Sequence, residues 1–132
     1  MRRKATMKVL YVDDEEDIRE IAKMSLELNP DFSVEICSSG NDALQFAPQW
    51  RPDLILLDVM MPGIDGPETL VRLSKIPETA KTPIIFITAR TQRQEVEQFM
   101  SIGAIGVIGK PFEPMSLAGQ VEALLKNATA RD

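Results

Sequence analysis

Short apolar runs alternate with amphipathic stretches from one end of the chain to the other, and this alternation restricts the fold more than any other feature. Met7 to Val12 (MKVLYV) is strand-like and ends in acids. Phe32 to Cys37 alternates as a second strand. Asp53 to Leu57 (DLILL) and Pro83 to Ile87 (PIIFI) are nearly all apolar, as central parallel strands covered on both faces are. Ala104 to Ile108 is a short fifth run.

Helical patterns fill the gaps. Glu15 to Leu28 places Ile18, Ile21, Ala22, Ser25 and Leu28 on one face, and Asn29-Pro30 stops it. Ser39 to Ala47 reads as a short helix broken by Pro48. Gly66 to Ser74 suits a helix with Pro67 in its first turn. Thr91 to Ile102 sets Val96, Phe99 and Met100 on one side, and Pro114 to Lys126 is the last helix. Asn127 to Asp132 reads as a frayed end. Strict alternation of this kind predicts an α/β protein: a doubly wound, five-stranded parallel sheet with right-handed crossovers and helices on both faces.

Ligands of such sheets bind beyond the carboxyl ends of the strands. The first run ends in Asp13-Asp14, followed by Glu15-Glu16; the third ends in Asp58, the fourth in Thr88, and the fifth near Lys110. The fold would gather these residues at one edge. Three carboxylates held together repel: at ~4 Å and an effective dielectric near 20, each pair costs about 4 kcal/mol before relaxation. Such a cluster needs protonation, a lysine or a cation. Oxygen donors without His or Cys favour a hard cation such as Mg²⁺. A carboxylate can also form an aspartyl phosphate. Lys110 can neutralise phosphoryl oxygens and the Thr88 hydroxyl can donate to one. These are the parts that phosphoryl transfer requires.

Taken singly, each part has an ordinary explanation. The acidic run can complement a helix dipole, Asp58 can be a turn residue before Pro62-Gly63, Thr88 a helix cap and Lys110 a solvated charge. Independent caps need not fall on four strand ends, so the conjunction favours a site.

Composition narrows the function. The chain has 132 residues, one ordinary domain with its core over about 7–126. The net charge of -5 argues against direct nucleic-acid binding. The basic start, Met1-Arg2-Arg3-Lys4, has no apolar signal core after it, and no stretch reaches membrane-spanning length. Cys37 is the only cysteine, which fits a reducing compartment and a cytoplasmic protein. There is no histidine, which excludes a Ser-His-Asp triad and a histidine-bound zinc. Any phosphohistidine must belong to a partner.

Asp13-Asp14, the block Asp58-Val-Met-Met-Pro-Gly-Ile-Asp-Gly66, Ile87-Thr-Ala89, Gly103-Ala104 and Lys110-Pro-Phe112 together resemble the response-regulator receiver domain, over about Lys8 to Lys126. The resemblance implies a flavodoxin-like sheet of strand order 2-1-3-4-5. It implies that Asp58 is phosphorylated by a phosphohistidine on a histidine kinase or histidine phosphotransfer protein. It implies Mg²⁺ held directly by Asp14, Asp58 and the backbone carbonyl of Met60, and by Asp13 through water. Thr88 would move toward the phosphoryl group, Lys110 would pair with its oxygens, and the Lys110-Pro111 peptide would be cis. The expected partners are that phosphodonor, a downstream protein target and, on phosphorylation, a second copy; neither nucleic acid nor membrane is expected. The domain would assist its own phosphorylation and dephosphorylation without being an enzyme in the turnover sense. It could act alone or as one domain of a hybrid kinase or transcription factor.

One position departs from the pattern. The family usually carries Phe or Tyr three residues before the lysine, where this chain has Val107. Val107 is short and stiff at χ1, so the output face is expected to change by backbone shift. The alternatives are weaker. A non-phosphorylated pseudo-receiver docking module has no reason to keep a repulsive acid cluster. An aspartate-nucleophile phosphatase of the haloacid dehalogenase type needs a second Asp where Met60 stands. A flavodoxin-like cofactor binder needs a phosphate loop where Asp13 to Glu16 stand.

Overall fold

A computed structural model describes residues 7–130; the basic start at Met1 to Lys4 lies outside them. The elements run β1 (Met7–Val12), α1 (Glu16–Leu26), β2 (Phe32–Cys37), α2 (Gly40–Trp50), β3 (Leu54–Asp58), α3 (Gly66–Ser74), β4 (Ile84–Thr88), α4 (Arg93–Ser101), β5 (Gly106–Gly109), a 3₁₀ turn at Pro114–Ser116, and α5 (Leu117–Ala130). The strands form one sheet in the order β2-β1-β3-β4-β5, every pair parallel. This is the expected flavodoxin-like topology.

Two apolar layers sandwich the sheet. Leu10, Val12, Ile55, Leu57 and Phe86 face one way, toward Ala43, Ala47, Leu70 and Leu73. Val9, Tyr11, Leu54, Leu56, Ile85 and Ile87 face the other, toward Ala22, Leu26, Leu117 and Val121. The period-2 alternation of a strand sends neighbouring residues to opposite layers. With helices on both sides, β3 and β4 are buried at every position. No helix among the described residues is long and apolar enough to cross a membrane.

Several bounds differ from the sequence reading. β3 and β4 each extend one residue further and take in Asp58 and Thr88, which stand in the last rungs of the ladder opposite Ile87 and Gly109. β5 begins at Gly106, the first residue in register with β4, opposite Ile85; the turn before it is closed by Gly103 and Ala104, whose N–H groups donate to the Met100 and Phe99 carbonyls, while Ile105 already donates across to the Ile84 carbonyl. α1 ends at Leu26, and its inward face is Ile18, Ala22, Ser25 and Leu26. Ile21 (42% exposed) and Leu28 (58%) lie outward, so the expected stripe is rotated by part of a turn.

Pro48 does not break α2. It lacks only its own N–H, and the last turn is fastened from outside: the Phe46 and Trp50 rings stack at 5.5 Å, and Lys8 Nζ donates to the Trp50 carbonyl at 2.6 Å while lying over the indole. The helix ends at Arg51, whose φ of 56° is the left-handed cap conformation. α5 continues through Asn127 to Ala130, beyond the expected fraying point.

Candidate functional site

The sheet delivers the expected residues to one edge. Asp13 follows β1 and donates its N–H to the Cys37 carbonyl of β2. Asp58 ends β3 and Thr88 ends β4. Lys110 follows β5 and is tied back by its own N–H to the Thr88 carbonyl. The Lys110-Pro111 bond is cis. Asp13, Asp14 and Asp58 each bring a carboxylate oxygen within 4.8 Å of the others. Met60 lies on the loop after β3 with its side chain 63% exposed.

Their environments differ. Asp13 is fully buried and Asp58 nearly so, while Asp14 is exposed. Lys110 Nζ bridges the buried pair, 2.9 Å from Asp13 Oδ2 and 3.2 Å from Asp58 Oδ1. It is therefore not a solvated surface charge. Burial pushes the Asp58 carboxyl up to about 6, Asp13 and Asp14 add to the rise, and Lys110 opposes it. For Lys110, burial works against the charged form, but the two carboxylates outweigh it and hold the ammonium above its usual range. One lysine thus compensates only part of the charge of three acids, and the residual repulsion falls on Asp58.

This donor set fits a hard divalent cation. The carboxylates converge, all donors are oxygen, and the cluster is short of positive charge. Asp13 is the most committed: Oδ2 takes Lys110 and the Tyr11 hydroxyl, and Oδ1 takes the Glu15 N–H at 3.0 Å. Asp14 and Asp58 are the freer carboxylates of the three.

Thr88 is 2% exposed, and its Oγ1 accepts from the Arg90 N–H at 3.0 Å. The hydroxyl is thereby linked to the start of the loop leading to α4, where Arg90 pairs with Glu95 at 3.6 Å. Val107 stands in β5 opposite Phe86, partly buried against the same layer as Phe99.

Sequence reasoning missed three supports. The sequence marks Gly66 only as the start of a helix. A Cβ there would meet the Asp58 carbonyl oxygen at 2.5 Å and Val59 Cα at 2.8 Å, so only glycine lets α3 begin against the backbone of Asp58 and Val59. Its N–H donates to the Val59 carbonyl at 2.8 Å, and Asp65 caps the helix by accepting from the Glu68 N–H. Arg19 Nη1 donates to the Asp13 carbonyl at 2.8 Å. Tyr11 donates to the Asp13 carboxylate at 3.0 Å. The sequence held a signal for Tyr11: residues two apart on a strand share a face, and a buried phenol seeks a polar partner.

Comparison with known proteins gives the same family. The family model described as "Response regulator receiver domain" matches residues 9–122. The phosphate regulon transcriptional regulatory protein PhoB of Rhizobium meliloti is 36% identical over 121 residues, covering 92% of this chain and 53% of that protein. The transcriptional regulatory protein ResD of Bacillus subtilis is 38% identical over 122 residues, covering 92% of this chain and 49% of that protein. The chain spans about half the length of the curated relatives it matches. Among solved structures, the Vibrio cholerae chemotaxis protein CheY4 superposes with a TM-score of 0.83 at 32% identity, covering 91% of this chain and 99% of that one. The chain belongs to the response regulator receiver domain family.

Proposed function

We propose that this domain is a phosphorylation-controlled switch in which Asp58 accepts a phosphoryl group from a phosphohistidine on a histidine kinase or phosphotransfer protein. The observation that carries this reading is the placement of a nearly buried Asp58 carboxylate 3.2 Å from Lys110, inside a cluster of three acids. Receiver domains are signalling modules, and the chemistry here is a single transfer.

An Asp58 carboxylate oxygen attacks phosphorus, an acyl-phosphate P–O bond forms, and the P–N bond to the partner's imidazole breaks. The imidazole leaves with the bonding pair and is neutral once the donor is protonated at its other nitrogen. Lys110 answers the charge gathered on the phosphoryl oxygens, and the Thr88 hydroxyl donates to one of them. Asp13, Asp14, Asp58 and the Met60 carbonyl would hold Mg²⁺, which supplies charge neutralisation when bound.

An apolar cleft of about 390 Å³ opens beside Lys110, walled by Ile18, Ile21, Ala89, Pro111, Phe112 and Pro114. It offers a phosphodonor protein a surface next to Asp58. Phosphorylation adds roughly -1.5 to -2 charge at the site, and the loop from Thr88 to Thr91 carries the response to a downstream protein or a second copy. The lone cysteine, Cys37, is a buried free thiol, which fits a reducing, cytoplasmic setting. The domain surface is not expected to bind nucleic acid itself; the relatives named as transcriptional regulators are about twice as long.

Incubation with acetyl phosphate and Mg²⁺ should add one hydroxylamine-labile phosphoryl group, and Asp58→Asn should abolish it. Unchanged labelling of Asp58→Asn would overturn the assignment. No labelling of the wild type by acetyl phosphate or by a phosphorylated donor protein would favour the pseudo-receiver docking module.

A further inference from the structure

Tyr11 is the only tyrosine in the chain, and it is fully buried. Its hydroxyl donates to Asp13 Oδ2 at 3.0 Å, the oxygen that also receives Lys110 at 2.9 Å. Asp13 is fully buried too, so any oxygen left without a donor there bears the whole desolvation penalty. Lys110 is shared between Asp13 and Asp58. If it turns to phosphoryl oxygens on Asp58, it must loosen its hold on Asp13.

We propose that Tyr11 is a positioning residue of the phosphoryl-transfer site: it shares the Asp13 carboxylate with Lys110 and keeps that carboxylate satisfied and fixed when the lysine turns to the phosphoryl group. The inference rests on the reading of Asp58 as phosphoacceptor and deepens it. In the resting protein Oδ2 has two donors. After the lysine turns, the tyrosine hydroxyl remains, and the Glu15 N–H still holds Oδ1 at 3.0 Å. With phenylalanine at position 11, Oδ2 would have Lys110 alone. Releasing the lysine would then strand a buried carboxylate oxygen, so Lys110 would be held back on Asp13. The phenylalanine ring fills the same space, so the effect separates from packing. A packing role alone would change stability and leave the ligand affinity of the folded protein untouched.

The test titrates beryllofluoride, which stands in for the phosphoryl group, into the full chain at saturating Mg²⁺. Tyr11→Phe should bind roughly three- to tenfold more weakly than wild type, part of the effect of a hydrogen bond to a charged group, with unchanged circular dichroism. The near-ultraviolet tyrosine band of the wild type should shift in step with binding, since no other tyrosine contributes. Equal affinities within about twofold, well under the value of one such bond, would overturn the proposal. So would a tyrosine band that stays still while beryllofluoride binds, and this measurement needs no variant to fold. A wild type that binds no beryllofluoride would overturn the phosphoacceptor reading itself, and the inference with it. Binding by wild type with an unaffected Tyr11→Phe would overturn the inference alone.

Discussion

Asp58→Asn should make the metal-free protein more stable at neutral and alkaline pH. Asp58 is raised from 3.8 to about 6, chiefly by burial and then by Asp13. The unfolded chain releases this proton near pH 4 and the folded chain only near pH 6. Between those values the folded state binds more protons, so stability falls as pH rises through the window. Above it the ionised Asp58 carries the whole penalty. Two pK units at about 1.4 kcal/mol each give a figure on the order of 3 kcal/mol. Asparagine keeps the shape and the acceptor oxygen without the charge, so about 1–3 kcal/mol should be recovered after allowing for the weakened Lys110 contact. The assay is urea unfolding of both proteins in a chelator, from about pH 8 down to pH 4.5, across the window that linkage defines. The variant should lead at the alkaline end, and most of its lead should vanish at the acid end. An Asp58→Asn protein less stable than wild type at pH 8, or a lead that does not shrink with falling pH, would refute the account of the cluster.

Mg²⁺ should raise the wild-type unfolding free energy by about 1.4 kcal/mol at ten times its dissociation constant, and Asp14→Ala should abolish that response; a wild-type melting curve indifferent to millimolar-range Mg²⁺ would count against the site. Gly66→Ala should cost about 2 kcal/mol or more, because the methyl meets the Asp58 carbonyl and Val59 Cα rather than flexible side chains; a neutral substitution by thermal unfolding would show that α3 can shift freely. Beryllofluoride should move the amide signals of Ala89, Arg90 and Thr91 strongly while the Val107 rotamer stays as it is. A Val107 rotamer change with a quiet 88–91 loop would contradict this.

The layered sheet was legible because each strand is short, apolar and bounded by polar residues, and parallel topology follows from alternation with helices. The gathering of Asp13, Asp14, Asp58, Thr88 and Lys110 at one edge was legible because the carboxyl ends of such strands lie where the apolar runs stop. What escaped depends on tertiary contact. Pro48 signals a break by its backbone chemistry, yet Lys8, Phe46 and Trp50 hold the turn closed around it. The face of α1 was misjudged because Ile21 is apolar and exposed whereas Ser25 is polar and buried, its hydroxyl spent on the Ile21 carbonyl. The roles of Gly66 and Arg19 require knowing which backbone lies beside them. The strength of Lys110's tie to two acids is a matter of distances that no spacing rule supplies.

α4 differs from its neighbours in having no buried residue, although Phe99 rests on Phe86 with ring centroids 5.1 Å apart. Elements with little buried apolar surface open at low free energy. A change of a hydrogen bond or two at Thr88 is small beside the stability of the whole domain, but it is comparable to what holds such a helix in place. Among the described residues a sparsely buried helix thus lies directly downstream of the edge that carries Asp58 and Thr88. Under the proposed function, rigid strands would keep the chemistry in register while this loosely moored helix would convert it into a change of shape, as a stiff beam ending in a soft joint turns a small load into a visible deflection.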